Sequence, residues 1–182
     1  DYVPDALAGQ GAVYVLAGAR TGPAAQFLQA NAQPIPGDDW PGVSQFRSWD
    51  VDMEEIANPL DWRLGEVAVL QGYTLLDDDT LLLYWEAAAQ TVIDHSVLLH
   101  IEAEPDAPPI DVLDHGIAGA VISTRAWELG TVYRDPVALP DLPPGTYTVR
   151  VGMYPVDSGL RLQRTDDDGF DGRYPLVTVT VE

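Results

Sequence analysis

The stretch richest in chemistry is Thr165 to Gly172, TDDDGFDG, where Asp166, Asp167, Asp168 and Asp171 crowd together beside Gly169 and Gly172. Hard carboxylate oxygens on a turn-forming loop are what calcium prefers. On that reading Asp166, Asp168 and Asp171 are the metal ligands, and Asp77, Asp78 and Asp79 add to them only if the two loops meet. The spacing departs from an EF-hand: Phe170 stands where a third acid is needed, and no Glu follows at the twelfth position. Asp and Gly are also ordinary turn residues, which sets a solvated acidic hairpin ahead of a metal site. No cofactor is expected, with calcium the one ion held open.

Aromatic rings make the second candidate. Trp40, Trp49, Trp62, Trp85 and Trp127, with eight tyrosines, could stack on sugar rings. Trp85 and Tyr147 occupy strand positions that suit a core. Trp127, before a glycine-containing loop, is the best candidate for an exposed platform, although a packing role is favoured for it too, and Tyr154 and Arg161 complete the ligand-binding set. Arg161 is also expected to pair with one of the many acids.

Nucleophilic and metal chemistry find little else. His95 and His100 are five apart on one strand, so they point to opposite faces and cannot share a metal. Ser44, Ser48, Ser96, Ser123 and Ser158 lie in no nucleophile elbow, and no catalytic residue is assigned. There is no cysteine, hence no disulfide and no thiolate site.

These residues need a scaffold, and composition says which kind. The 182-residue chain is 46% hydrophobic, with 15 prolines and 16 glycines, as befits a globular fold of short strands and many turns. A net charge of −20, from 29 acids against 9 bases, excludes a phosphate-tracking surface and disfavours anionic membranes. No apolar run is long enough to span a bilayer, and no signal peptide is recognisable. The opening Asp1 is read as the start of a processed or excised chain whose natural neighbours are missing.

Residues 1–58 read as a small strand–helix–strand segment. Gly11 to Ala17 is a short apolar strand. A helix capped at Thr21 or Gly22, with Pro23 at its first position, would bury Ala24, Phe27, Leu28 and Ala32 and end at Pro34. Val43 to Val51 returns as a strand. Met53 to Leu60 reads as a linker with a turn at Asn58-Pro59.

From Trp62 strands recur at roughly ten-residue spacing. They are Glu66–Leu75, Thr80–Ala88, Ser96–Glu104, Thr131–Leu139, Thr146–Tyr154, Leu160–Gln163 and Leu176–Val181, with Ala118–Thr124 a possible edge strand. Period two puts Val97, Leu99, Ile101 and Ala103 inward, with Leu98, His100 and Glu102 outward. Val177, Val179 and Val181 likewise face in. Tyr147 follows the corner Leu142-Pro143-Pro144-Gly145, as in the tyrosine corner of immunoglobulin-like sandwiches, where the hydroxyl bonds back to the backbone. The fold class is therefore mainly β: an immunoglobulin-like antiparallel β-sandwich over 62–182, preceded by the small α/β segment.

An ordered set of elements carries a family resemblance. It comprises Leu70-Gln71-Gly72-Tyr73-Thr74-Leu75, Leu82-Leu83-Tyr84-Trp85-Glu86-Ala87, Asp94, Val97, His100-Ile101, Trp127, Gly130 and Asp135. It continues through Leu139-Pro140, Pro143 to Tyr147, Val151-Gly152-Met153-Tyr154 and Gly159-Leu160-Arg161-Leu162. Residues 64–182 thereby resemble the C-terminal extracytoplasmic β-sandwich of bacterial polytopic membrane glycosyltransferases, of the dolichyl-phosphate-mannose and aminoarabinose transferase type. The Gln-x-Asp pairing common in that family between the positions of Glu104 and Trp127 is absent here. The resemblance implies a non-catalytic accessory domain outside the cytoplasm, periplasmic or at the cell surface. Its partners would be a glycan or a protein neighbour, with the membrane reached only through a missing parent region. Two alternatives stand beside it: a stand-alone carbohydrate-binding or calcium-stabilised surface protein, and a polysaccharide hydrolase.

Overall fold

The computed structural model describes residues 51–76, 79–104, 107–117, 123–167 and 171–182, together with the backbone of three strands nearer the N-terminus. Those three are β1 (Val13–Ala17), β2 (Ala32–Pro34) and β3 (Val43–Ser48), an antiparallel sheet in the order β1-β3-β2. The expected strands at 11–17 and 43–51 are present in shortened form. The helix expected to run to Pro34 does not reach it, because Ala32–Pro34 pairs with Phe46–Ser48 as strand. The rest of that helix lies outside the described residues.

The remainder is antiparallel β, its described helical residues confined to two 3-10 turns and Ile117. One sheet takes β4 (Asn58–Leu64), β5 (Ala68–Leu75), β6 (Thr80–Ala87) and β10 (Val132–Ala138) in the order β10-β6-β5-β4. The other takes β7 (His95–Glu102), the two-residue strands β8 (Asp111–Val112) and β9 (His115–Gly116), β11 (Gly145–Pro155) and β12 (Tyr174–Val181), in the order β12-β11-β7-β8 with β9 also on β7. Inward residues of both sheets form one cluster: Leu70, Leu81, Leu83 and Trp85 from the first, Val97, Leu99, Val151 and Met153 from the second. The arrangement is β-sandwich-like, with alternate residues of each strand meeting in the middle.

Alternation is why these segments became strands, and it held at β7 and β11, except that Ala103 beyond β7 is exposed; in β12 a break in register leaves Leu176 buried and Val177, Val179 and Val181 half-buried. The linker expected over 53–60 ends in strand instead, since β4 begins at Asn58 and runs through Pro59 and Asp61. An edge strand tolerates both, since one side of its backbone needs no partner. The ladder slips between Pro59 and Trp62, where Asp61 adopts a positive φ of 94°. Leu160–Gln163 is not a strand. The chain there makes one bridge, Leu64 to Arg164, flanked by Gly65 N–H to Gln163 O at 2.8 Å and Leu162 N–H to Met153 O at 2.8 Å. That segment laces the two sheets together along one side. Of the possible edge strand 118–124, only Ser123 and Thr124 are described, and Thr124 opens a 3-10 turn.

Tyr147 does what its corner position suggested, its hydroxyl donating to the Pro143 carbonyl at 2.7 Å. Two glycines let the chain cross the sheets' outer faces. A Cβ at Gly72 would strike Ile56 and the Asn58 carbonyl, and one at Gly152 would strike the Gly172 carbonyl. Residues 53–57 therefore lie over the first sheet, where Glu55 pairs with the buried Arg134. The turn at 171–173 lies over the second.

Candidate functional site

The outer face of the second sheet is polar yet closed. β7 and β11 put His100 opposite Arg150 and Leu98 opposite Gly152, on the side away from the core. Sequence alternation made Leu98, His100 and Glu102 outward, which is correct, but all three are buried. The loop returning to β12 over Gly152 is the cause.

Glu102 is 2% exposed and accepts from both Arg150 Nε and Arg173 Nη1, the latter at 3.1 Å. Arg150 also donates to the Arg173 carbonyl at 3.3 Å. Asp171 takes Arg173 Nε at 2.7 Å and Arg161 Nη1 at 3.1 Å. Such a chain of charges holds only while each has its counter-ion, because an orphaned buried charge is costly. Beside it Asp114 accepts the Leu99 N–H at 3.0 Å and the Tyr154 hydroxyl at 3.2 Å, with His100 Nε2 at 3.3 Å. Burial pushes the His100 imidazole below its ordinary pKa, and Arg173 and Arg161 add to this against the pull of Asp114. The ring's Nδ1 has no hydrogen-bond partner among the described residues.

The next residue along, His115, turns the other way. On β10 the inward positions are Tyr133, Asp135 and Val137, opposite Trp85, Leu83 and Leu81. Asp135 thus places a carboxylate in the core, fully buried. Its Oδ2 receives the Trp85 indole N–H at 3.2 Å and His115 Nε2 at 3.0 Å, while His115 Nδ1 meets the Leu113 carbonyl at 2.6 Å. Both ring nitrogens face acceptors, a pattern satisfied only by the imidazolium. Burial works to lower the His115 pKa, but the hydrogen bond and charge of Asp135 outweigh it and the pKa is raised. β9 belongs to one sheet and β10 to the other, so this ion pair joins them opposite the lacing at Leu64.

The sequence-predicted residues divide. Arg161 and Asp171 pair with each other in the exposed segment lying over the second sheet, and Tyr154, on the same outer face, bonds Asp114. Asp166 does not join them: Arg164 grips it through two bonds, at 2.9 and 2.6 Å, while its guanidinium lies 4.2 Å from the Trp62 ring centre. Those bonds hold Asp166 below the usual carboxylate pKa. For Asp171 burial pushes upward, but the Arg173 bond and the Arg173 and Arg161 charges leave it lowered. Asp168 lies outside the described residues, among which no group of three His, Asp or Glu side chains is suited to a metal.

Of the two roles open to Trp127, the favoured one, packing, is what the structure has: the ring is 2% exposed, lies 5.9 Å from Tyr133 between ring centres, and offers no platform to a ligand. It serves as floor beneath a loop cluster. Loops 88–94, 123–131 and 156–160 share one end of the two sheets, joined by Val156 N–H to Asp94 O at 2.8 Å, Gly130 N–H to Ala87 O at 2.9 Å and the Gln90 amide to the Trp127 carbonyl. Val92, Ile93, Leu129, Val156 and Leu160 stand exposed on these loops, Val92 at 87% and Leu160 at 73%.

Glu102 and Arg173 were not singled out as site residues, nor were Asp114 and His115. Asp135 did leave a signal, being a charge at an inward position of an alternating strand. His115 left none, because β9 is only two residues long. Among the described residues no helix is long and apolar enough to cross a membrane. Comparison with protein-family models, curated proteins and solved structures finds no match.

Proposed function

We propose that the chain is a non-catalytic accessory or interaction domain that meets a protein neighbour or a glycan through its loop end. The observation carrying this reading is the gathering of Val92, Ile93, Leu129, Val156 and Leu160 on adjoining loops. Solvent-facing apolar side chains at one end of a rigid sandwich are what a contact surface needs. Both outer sheet faces are crossed by segments of the chain itself, which leaves the loop end as the more accessible ground.

The finer fold reading is immunoglobulin-like for residues 62–182, supported by the tyrosine corner at Tyr147 and Pro143. The parent is then an extracytoplasmic part of a membrane glycosyltransferase, a reading supported by the ordered motif set alone. A photo-reactive side chain at position 92 or 156, compared with one at the distant exposed Met53, tests the loop-end assignment in cells of the source organism. Cross-links to a neighbour, or retention on a glycan array, that disappear when Leu129 and Leu160 are both changed to Ser are expected. Equal cross-linking at all positions with no glycan retained would overturn it.

A further inference from the structure

A sheet edge leaves backbone N–H and C=O groups without a ladder, and folded proteins guard such edges with charge, proline, bulges or brevity. The two sheets have four edges, and three are guarded. β10 carries the inward Asp135 followed by Pro136. β4 carries Pro59 and Asp61, has its ladder interrupted between Pro59 and Trp62, and is bridged at Leu64. β8 and β9 are two residues each.

β12 is different. Its start carries Pro175 and a break in register, but from Leu176 to Val181 it reads LVTVTV, with no charge and no further proline. Its register with β11 runs unbroken from Gly145 opposite Val181 to Val149 opposite Val177. Among the described strands none pairs with its other side. Thr178 and Thr180 are exposed, and Val177, Val179 and Val181 are only half-buried.

We propose that this edge is a homodimer surface, on which β12 pairs antiparallel with β12 of a second copy. A two-fold axis perpendicular to the sheet keeps inward residues opposite inward residues. With Val179 on the axis, Val177 falls opposite Val181 and Thr178 opposite Thr180. Every one of these cross-strand pairs is uncharged and like with like, valine against valine and threonine against threonine, as sheets favour. Glu182 falls opposite Leu176, so the two terminal-strand glutamates do not face each other. This self-matching pattern is why a second copy, rather than an unrelated strand, is the occupant. Each copy carries a net charge of −20, so the neutral strip is where two copies approach with least repulsion. Salt screens the remainder, the Debye length being about 8 Å at physiological ionic strength. One strand pair is a small interface, which places the association at the weak end.

The surface is separate from the loop end, so dimerisation and loop-end binding can fail independently. Sedimentation velocity on the whole chain, from micromolar to millimolar and at low and high sodium chloride, is the test. A dimer that tightens with salt is expected, weakened at least tenfold by Thr178→Lys with Thr180→Lys. Those lysines move the net charge from −20 to −18 (−20 + 2), so charge alone would strengthen association and only a guarded edge weakens it. Amide exchange on the unmodified chain serves if the double variant unfolds: protection over 176–181 should rise with protein concentration. A wild-type monomer under all conditions overturns the proposal, including the case where β12 takes a strand from another protein. So does a dimer indifferent to the lysines, or protection that rises elsewhere.

Discussion

Two histidine–aspartate pairs sit back to back through one dipeptide, Asp114-His115, and their environments send them opposite ways. Asp114 faces outward to His100 with Tyr154 alongside, in a neighbourhood that also holds Arg161 and Arg173. His115 faces inward to Asp135, whose remaining surroundings include the Trp85 indole and apolar core. Outside, burial, helped by nearby guanidiniums, lowers the histidine pKa; inside, a buried carboxylate outweighs burial and raises it. Proximity of a carboxylate does not by itself decide a histidine's charge. What decides is which other charges share the carboxylate and whether both ring nitrogens have acceptors.

The inner pair is the place to break this contrast most severely. Asp135→Ala strips His115 and the Trp85 N–H of their shared acceptor in the core. A loss of about 3–5 kcal/mol in urea unfolding is expected, the cost of orphaning a buried charge. Glu102→Gln should cost less, about 2–3 kcal/mol, because Arg150 and Arg173 retain some solvent and Asp171 still holds Arg173. A larger loss at Glu102 than at Asp135 would place the principal clasp on the outer face. Asp114→Asn is the mildest, about 1 kcal/mol, and it should move the His100 pKa further down while leaving His115 above its ordinary value.

The pairs also divide the pH dependence of stability. His115, raised in the folded state, contributes stability that is fully present below the unfolded value of about 6.5 and lost as pH rises through its folded pKa. His100 and His95 are lowered, chiefly by burial, and work the other way. Their contribution is present above about 6.5 and lost as pH falls through that value toward their folded pKa values. Removing His115 by His115→Gln should therefore leave a profile that only falls toward acid near neutrality, whereas His100→Gln should sharpen the decline toward alkali.

Much of the fold was legible because it rests on period two. Alternation over 96–104 and 146–154 put Val97, Leu99, Ile101, Val149, Val151 and Met153 in the core, with Ala103 the exception, while over 176–181 it missed the buried Leu176; the Tyr147 corner announced its own hydrogen bond. β4 was not legible, since Pro59 and Asp61 are tolerated by an edge position that only the assembled sheet creates. The site was less legible still. Tyr154, Arg161 and Asp171 were chosen separately, as aromatic, base and calcium ligand, and what carries Arg161 and Asp171 over the face that holds Tyr154 is a loop folding back over Gly152. No local pattern announces that return. For the same reason Leu98, His100 and Glu102 were outward by alternation and yet buried. Trp127 was open to two readings, because a glycine-containing loop after a tryptophan suggests exposure; the favoured packing role is the one found, with the loop roofing the ring.

The contrast between the two pairs is tested most directly by following the three imidazole titrations by NMR in the intact chain. The account predicts that His115 titrates above the ordinary value of about 6.5 while His100 and His95 titrate below it. It further predicts that Asp135→Asn brings His115 down and leaves the other two in place. A His115 that titrates below His100, or that is unmoved by Asp135→Asn, would contradict it.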